Sequence, residues 1–274
     1  MASVGVKSLL PIVEELDLTS TPFELFDRFV GESHCILFDS GMDCQRLGRY
    51  SYLSADPLAV IKSRGRSITV VQGTATYFEQ GDPFRYIQSL LRRHRTEPVV
   101  GLPPFQGGLA GSFGYDLGHH VERLPWQSRR DVDIPEMYVG LYDWVLAHDH
   151  LTHRSWLVAT GGAEQSLEQA RARLIWVKER LSKGATWSVL SGATVQYIPP
   201  NDRPFTANFT RDQYIEVILA AKEYIAAGDI YQVNLSQRFQ GAMSCHPWLL
   251  YSRLREINPA PFAAYLGFDE VAVV

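Results

Sequence analysis

Two histidine clusters and one glycine-rich stretch hold the residue types best suited to chemistry in this sequence. His148, Asp149, His150 and His153 bring imidazole and carboxylate donors close together, a composition that suits a divalent metal. The competing reading is a polar turn between two apolar strands, and the residues on either side favour it. His119, His120 and Glu122 offer the same donor types with the same alternative. The stretch Gly107-Gly108-Leu109-Ala110-Gly111-Ser112-Phe113-Gly114 has enough glycine to suggest a phosphate cradle. Its spacing is neither Gly-x-Gly-x-x-Gly nor the P-loop pattern, and no Lys-Ser or Lys-Thr follows. Close backbone approach within a sheet accounts for it better. There is no Gly-x-Ser-x-Gly elbow and no His-Glu-x-x-His pair. Taken alone, these residues assemble no catalytic constellation.

Composition narrows the class. Of 274 residues, 46% are hydrophobic and 20% charged, which suits a soluble globular protein with a sizeable core. The formal charge is −4 and no basic stripe stands out, so nucleic acid is not an expected partner. Arg92-Arg93-His94-Arg95 is the densest basic cluster, and it reads as complementing the end of a predicted helix. Cys35, Cys44 and Cys245 are odd in number and form no Cys-x-x-Cys pair. A disulfide framework or zinc site is therefore not expected, and a reducing cytoplasm fits. The N-terminus lacks a basic region followed by a long apolar one, so no signal peptide is expected. No run approaches the ~18 apolar residues of a membrane span.

The elements that must position any site are legible in the hydrophobic pattern. Thr21 to Phe29 reads as a short helix with Phe23, Phe26 and Phe29 or Val30 on one face. His34–Asp39, Tyr50–Ser54, Leu58–Lys62, Ser67–Val71 and Thr74–Glu79 read as strands punctuated by Asp-Pro, Arg-Gly and Gln-Gly turns. Short strands this close together predict an antiparallel sheet rather than βαβ units. Asp82-Pro83 opens a helix with Phe84, Ile87, Leu90 and Leu91 on its apolar face. Pro135 to Asp149 reads as an apolar strand region, pairing with Arg154–Ala159. Ser166-x-x-Gln169 starts a helix to about Ser182, ended by Gly184. Thr186 to Pro204 is the linker candidate. Beyond it, Thr210-x-x-Gln213 caps a helix stopped at Gly228, with Phe209 and Tyr214 as a hydrophobic staple. Ile230–Phe239 then alternates as a strand. His246–Ile257 reads as a helix, and Pro261–Phe268 with Val271–Val274 as a hairpin. A chain ending inside a bare strand is expected to be a truncated product.

Three blocks together resemble the chorismate-utilising enzymes, component I of aminodeoxychorismate synthase and of anthranilate synthase. They are Pro104 to Leu117, Gly-Asp-Ile-Tyr-Gln-Val-Asn-Leu-Ser-Gln-Arg-Phe at Gly228 to Phe239, and Asn258 to Leu266. The resemblance covers about residues 20 to 274. The wording of Tyr231 to Phe239, and of Ile134-Pro135-Glu136-Met137 with Gly140 to Trp144, is closer to the aminodeoxychorismate branch. Anthranilate synthases usually carry Leu-Glu-Ser in the early strand, where Phe38-Asp39-Ser40-Gly41 stands here.

The resemblance implies an α+β fold of stacked, largely antiparallel β-sheets flanked by helices. It divides the chain into a component I N-terminal domain, residues 1–200, and the start of a chorismate-binding domain, residues 208–274. The implied reaction takes chorismate and ammonia to 4-amino-4-deoxychorismate, with ammonia supplied by a glutamine amidotransferase subunit and magnesium as cofactor. The lysine nucleophile in a Pro-Ile-Lys-Gly-Thr motif and the metal ligands are expected downstream of Val274, so no catalytic or metal residue transfers. A tryptophan pocket does transfer, onto Ser40, Leu47, Gly48, Arg49, Tyr50, Pro261, Phe262 and Ala263. A fragment of this kind is expected to be inactive alone. The alternatives are anthranilate synthase component I and a non-catalytic remnant that binds an amino acid or the amidotransferase.

Overall fold

The structure is a computed structural model describing residues 10–43, 45–125, 132–162, 166–183, 205–243 and 245–274. The expected linker from Thr186 to Pro204, and the stop at Gly184, lie outside these residues. The described residues fall into two compact units. One comprises those within Met1–Gly192 and Pro247–Val274, the other those within Ala193–His246.

The first unit is built on two antiparallel sheets. Strands β1 (Ile12–Leu16), β2 (Cys35–Asp39), β3 (Tyr50–Ser54), β9 (Trp144–Asp149), β10 (Arg154–Ala159), β13 (Ala263–Gly267) and β14 (Ala272–Val273) form a seven-stranded sheet, in the order β1-β10-β9-β3-β2-β13-β14. Strands β4 (Ala59–Arg64), β5 (Ser67–Gln72), β6 (Ala75–Gln80), β7 (Gly108–Phe113) and β8 (Met137–Tyr142) form a five-stranded sheet, in the order β6-β5-β4-β8-β7. The glycine-rich stretch is thus strand β7. A Cβ on Gly111 would sit 2.2 Å from the Tyr138 carbonyl oxygen, so only glycine lets β7 lie this close to β8.

Side-chain alternation assigns each strand face to a layer. Cys35 and Leu37 of β2 join Trp144 and Leu146 in a core beneath the helices α1 (Pro22–Phe26), α3 (Leu167–Ser182) and α5 (Pro247–Ile257). Ile36 and Phe38 point the other way, into a second core between the sheets with Val60, Tyr138, Tyr142 and Phe268. Ile61, Met137, Val139 and Leu141 face outward from the smaller sheet onto α2 (Pro83–Arg93). The unit is therefore four layers, helix, sheet, sheet, helix, and the fold is α+β as expected.

Local sequence explains the helix starts. Thr21 and Glu24 form a capping box at α1, Asp82 accepts from the Phe84 and Arg85 amides at α2, and Ser166 accepts from Gln169 at α3. On α5, Trp248 and Tyr251 pack against Phe23, Phe26 and Tyr265, with the Phe26–Trp248 ring centroids 4.6 Å apart.

Three features differ from the sequence reading. The run from Pro135 to Asp149 is two strands in two different sheets, with Asp143 at the crossing. Residues 247–274 pack with the first unit rather than opening a second one at 208. The cause is that β13 pairs with β2 over five registered residues, Ala263↔Asp39 to Gly267↔Cys35, a long-range contact no local pattern encodes. And residues 230–238 form no strand: only Phe239–Gln240 (β12) pairs, with Thr206–Ala207 (β11). A strand needs a partner strand for its backbone groups; Arg238 exchanges hydrogen bonds with Asn208 beside the short β11–β12 ladder, and the ladder extends no further back along the chain.

In the second unit, α4 (Arg211–Ala227) has the expected capping box between Thr210 and Gln213 and ends on Gly228 at φ 83°. Phe209 and Tyr214 lie 6.1 Å apart, consistent with the staple.

The crossing at Asp143 is held by charge. The Arg173 Nε lies 3.2 Å from Asp143 Oδ1, and its Nη1 lies 2.7 Å from Asp56 Oδ2. Burial pushes the Asp143 carboxyl up, against the pull of Arg173. Replacing Arg173 by Met strands this buried carboxylate and should cost about 3–5 kcal/mol in urea denaturation. Adding Asp143→Asn should restore part of that loss; an R173M variant as stable as the parent would show the pair to be idle.

Candidate functional site

A cavity of about 550 Å³ opens between the two sheets, within the range of small-molecule sites. The larger sheet contributes Phe38 from β2, Tyr50 and Tyr52 from β3, and Ala263 from β13. The smaller sheet contributes Leu109, Ala110, Gly111 and Phe113 from β7. Phe105 closes one side, its ring edge-on to Phe38 and Tyr52 at centroid distances of 6.1 and 5.7 Å. Leu47 and Phe262 stand at the mouth, 48% and 73% exposed. The lining is aromatic and aliphatic, a surface that would take a flat apolar group. Burial pushes the Tyr52 phenol up to about 12, so it stays protonated.

The polar groups lie at one end. Ser40 donates its hydroxyl to the Tyr50 carbonyl oxygen at 2.6 Å, and its amide donates to Ser51 Oγ at 3.0 Å. Ser51 Oγ in turn pairs with His150 Nε2 at 2.7 Å. The Gly41 amide donates to the Ala260 carbonyl at 3.0 Å. A Cβ on Gly48 would meet the Met42 carbonyl oxygen at 2.3 Å and that of Pro261 at 3.1 Å. These contacts lock the turn after β2 against the chain leading into β13.

The residues expected to hold tryptophan divide accordingly. Ser40, Leu47, Tyr50, Phe262 and Ala263 line the cavity. Gly48 and Pro261 brace its wall without lining it. Arg49 is engaged elsewhere: its Nη2 lies 2.7 Å from Asp149 Oδ2, and its Nε also donates to that carboxylate. Burial raises the Asp149 pKa, but the hydrogen bonds from Arg49, the Leu151 amide and the Thr152 side chain, with the Arg49 charge, together outweigh it and hold the carboxyl down to about 2. The sequence reading missed Phe38, Tyr52, Phe105, Leu109 and Phe113. Period-two alternation in β2 and β3 marks Phe38 and Tyr52 as sharing a face, but nothing local says that β7 lies opposite.

Asp39 sits beside the cavity with its carboxylate turned to the helix layer. It accepts from Arg255 Nε and Nη2 and from the Tyr251 hydroxyl at 3.0 Å. Its position in the Phe38-Asp39-Ser40 stretch is thus tied to α5.

The histidine clusters do not form a metal centre in this arrangement. His148 Nδ1 pairs with Ser155 Oγ at 2.9 Å, His150 pairs with Ser51, and Asp149 holds Arg49. Among the described residues, no group of three His, Cys, Asp or Glu side chains is placed to hold a metal ion. The residues present do not fit the implied magnesium.

The chorismate binding enzyme family matches residues 33–274. This chain belongs to that family. It is 31% identical to aminodeoxychorismate synthase component 1 of Bacillus subtilis over 246 residues, 88% of this chain and 49% of that protein. It is 30% identical to anthranilate synthase component 1 of Acetivibrio thermocellus over 275 residues, 97% of this chain and 55% of that protein. Among solved structures, anthranilate synthase component I from Streptococcus pneumoniae TIGR4 aligns with a TM-score of 0.60 at 23% identity, covering 77% of this chain and 46% of that one. At that identity the likeness bears on the fold. The chain spans about half the length of these relatives. No helix among the described residues is long and apolar enough to cross a membrane.

Beside the cavity, His148 couples the wall to pH. Its ring lies 4.7 Å from that of His150. Burial first, then the charges of His150 and His153, push its pKa down from 6.5 to about 4. Between these values the unfolded chain takes up a proton that the folded chain refuses. The stabilisation is complete above pH 6.5 and is lost as pH falls toward 4, at up to ~1.4 kcal/mol per unit. His148→Asn should flatten that part of the stability–pH slope in urea titrations; an unchanged slope would assign it to other groups.

Proposed function

We propose that this chain is the component I N-terminal portion of an aminodeoxychorismate synthase. In the reaction as the resemblance implies it, ammonia replaces the C4 hydroxyl of chorismate and water leaves, giving 4-amino-4-deoxychorismate. A glutamine amidotransferase subunit supplies the ammonia. The observation that carries the choice of branch is the wording from Tyr231 to Phe239, set in a chain whose family match runs over residues 33–274. Anthranilate synthase component I is the second reading, favoured by the Acetivibrio thermocellus relative, which is as similar over nearly the whole chain. Magnesium and the lysine nucleophile belong, on this reading, to parts of the enzyme other than these residues. The chain's own contribution is to build the inter-sheet cavity, and the proposed occupant is tryptophan. Its indole would lie against Phe38, Tyr52 and Phe105, with its polar end toward Ser40.

Isothermal calorimetry checks the binding half. L-Tryptophan should bind the chain at one site, and Ala263→Trp, which fills the cavity, should weaken it at least tenfold. Absence of heat with the parent chain would remove tryptophan from the reading. Incubation with chorismate and ammonium should yield neither aminodeoxychorismate nor anthranilate; formation of either by the chain alone would place the chemistry within these residues.

A further inference from the structure

The turn leading into β2 buries an imidazole that takes no part in lining the cavity. His34 is 5% exposed and has φ 48°, a left-handed conformation uncommon for a residue with a side chain. The Tyr142 hydroxyl, donating to the His34 carbonyl oxygen, braces that conformation. The ring enters the layer between the sheets, its centroid 5.6 Å from that of Tyr138 and 5.9 Å from that of Phe268. Phe268 begins the turn between β13 and β14, where its amide donates to the Val271 carbonyl oxygen at 2.9 Å.

A run of hydrogen bonds leads from this ring to that turn. Ser33 Oγ lies 2.6 Å from His34 Nδ1, the Tyr138 hydroxyl 3.1 Å from Nε2, and the same hydroxyl 2.8 Å from Glu270 Oε2. Glu270 also holds Lys62, whose ammonium sits 4.6 Å from the centre of the Tyr138 ring. The number of protons sets the direction of the run. Tyr138 has one hydroxyl proton, and an ionised carboxylate can only accept. That proton goes to Glu270, so the Tyr138 oxygen accepts from His34 Nε2–H, and neutral His34 carries its proton on Nε2. Nδ1 then accepts from Ser33.

A second proton on the ring would reverse the Ser33 bond and place a cation in this buried layer, near Lys62. The carboxylates around it compensate little. Asp269 Oδ2 is 3.6 Å from Nε2, but its side chain is 64% exposed. Glu270 is already shared between Tyr138 and Lys62, and Asp56 is paired with Arg173. Burial, reinforced by Lys62 and opposed by Asp269, Glu270 and Asp56, holds the His34 pKa below its ordinary 6.5. The Lys62 hydrogen bond, with that of Tyr138 and against burial, holds the Glu270 carboxyl below its ordinary value too.

We propose that this run is a proton-sensitive latch: neutral His34, acting through Tyr138 and Glu270, fastens the β13–β14 turn to both sheets, and protonation of His34 loosens it. Strand β13 runs from the cavity wall at Ala263 to this turn, so the latch fixes the far end of a strand on which the cavity is built. A folded pKa below the unfolded one gives stabilisation that is complete above pH 6.5 and is lost as pH falls through the folded value. Glu270 acts in the same sense at lower pH, its contribution complete above 4.5.

Amide hydrogen exchange on the 274-residue chain tests the latch. After correction for intrinsic rates, protection of Leu266 to Val273 should fall about threefold more than that of β5 between about pH 7.5 and 5.5. His34→Gln keeps a donor toward Tyr138 but does not titrate, and should abolish this difference. Glu270→Gln, at an exposed position, should lower the protection already at the higher pH. Nitrogen NMR of isotope-labelled histidine should show His34 as the Nε2–H tautomer there. No difference in the parent chain, a difference that persists in His34→Gln, protection unchanged by Glu270→Gln, or an Nδ1–H tautomer would overturn the latch. Should circular dichroism show that His34→Gln fails to fold, Glu270→Gln and the tautomer decide the matter.

Discussion

The two sheets of the first unit are tied together where the chain passes from one to the other, most tightly through the single residue Asp143. Strands β8 and β9 are both buried along their whole length, and only Asp143 separates them. A passage through a core leaves backbone and side-chain polar groups away from water, and each must find a partner. Thr160 donates its amide to the Asp143 carbonyl, Ser54 its hydroxyl to the Trp144 carbonyl, and Trp144 its indole N–H to the Ala55 carbonyl, while the buried Asp143 Oδ1 has no hydrogen bond and only the Arg173 charge beside it. Tyr142 donates its hydroxyl to the His34 carbonyl at 2.7 Å. Arg173 then brings α3 onto the Asp143 carboxylate. The two sheets are thereby fixed relative to each other before any side chain between them is considered.

The cavity is a consequence of that fixing. The chain passes between the sheets at residues 55–58, from β3 to β4, as well as at Asp143, and the space between the sheets must be filled or left open. Part of it is filled: Tyr138 and Phe268 stack with centroids 4.0 Å apart. At the β7 side the filling thins, because Ala110 and Gly111 offer little side chain where Phe38 and Tyr52 face them. The glycine that lets β7 approach β8 also leaves room in front of β3. Packing and recognition thus draw on the same residue.

The second unit shows the opposite balance. Its local signals are the best formed in the chain, yet its apolar surface is uncovered. Helix caps act within a few residues, so they operate whether or not a core exists. Burial needs a second surface. This is why α4 is present as expected while the strand after it is not: a helix satisfies its own backbone, whereas a strand relies on a neighbour.

The sequence by itself determined the α+β class, most of the strands and helices, their caps and stops, and the family. The elements, caps and stops rest on periodicities and short-range hydrogen bonds that a few neighbouring residues specify; the class and the family came through resemblance. It also placed Ser40, Leu47, Tyr50, Phe262 and Ala263 at one site, through resemblance. Tertiary structure alone decided that Pro135 to Asp149 divides between sheets, that β13 lies beside β2, and that β7 faces β3 across a cavity. It alone turned Arg49 onto Asp149 and Asp39 onto Arg255. Those outcomes depend on pairings between residues well separated in the chain, by 100 positions for Arg49 and Asp149. No local pattern carries such a choice, because the same alternating strand can pair with any partner of matching face.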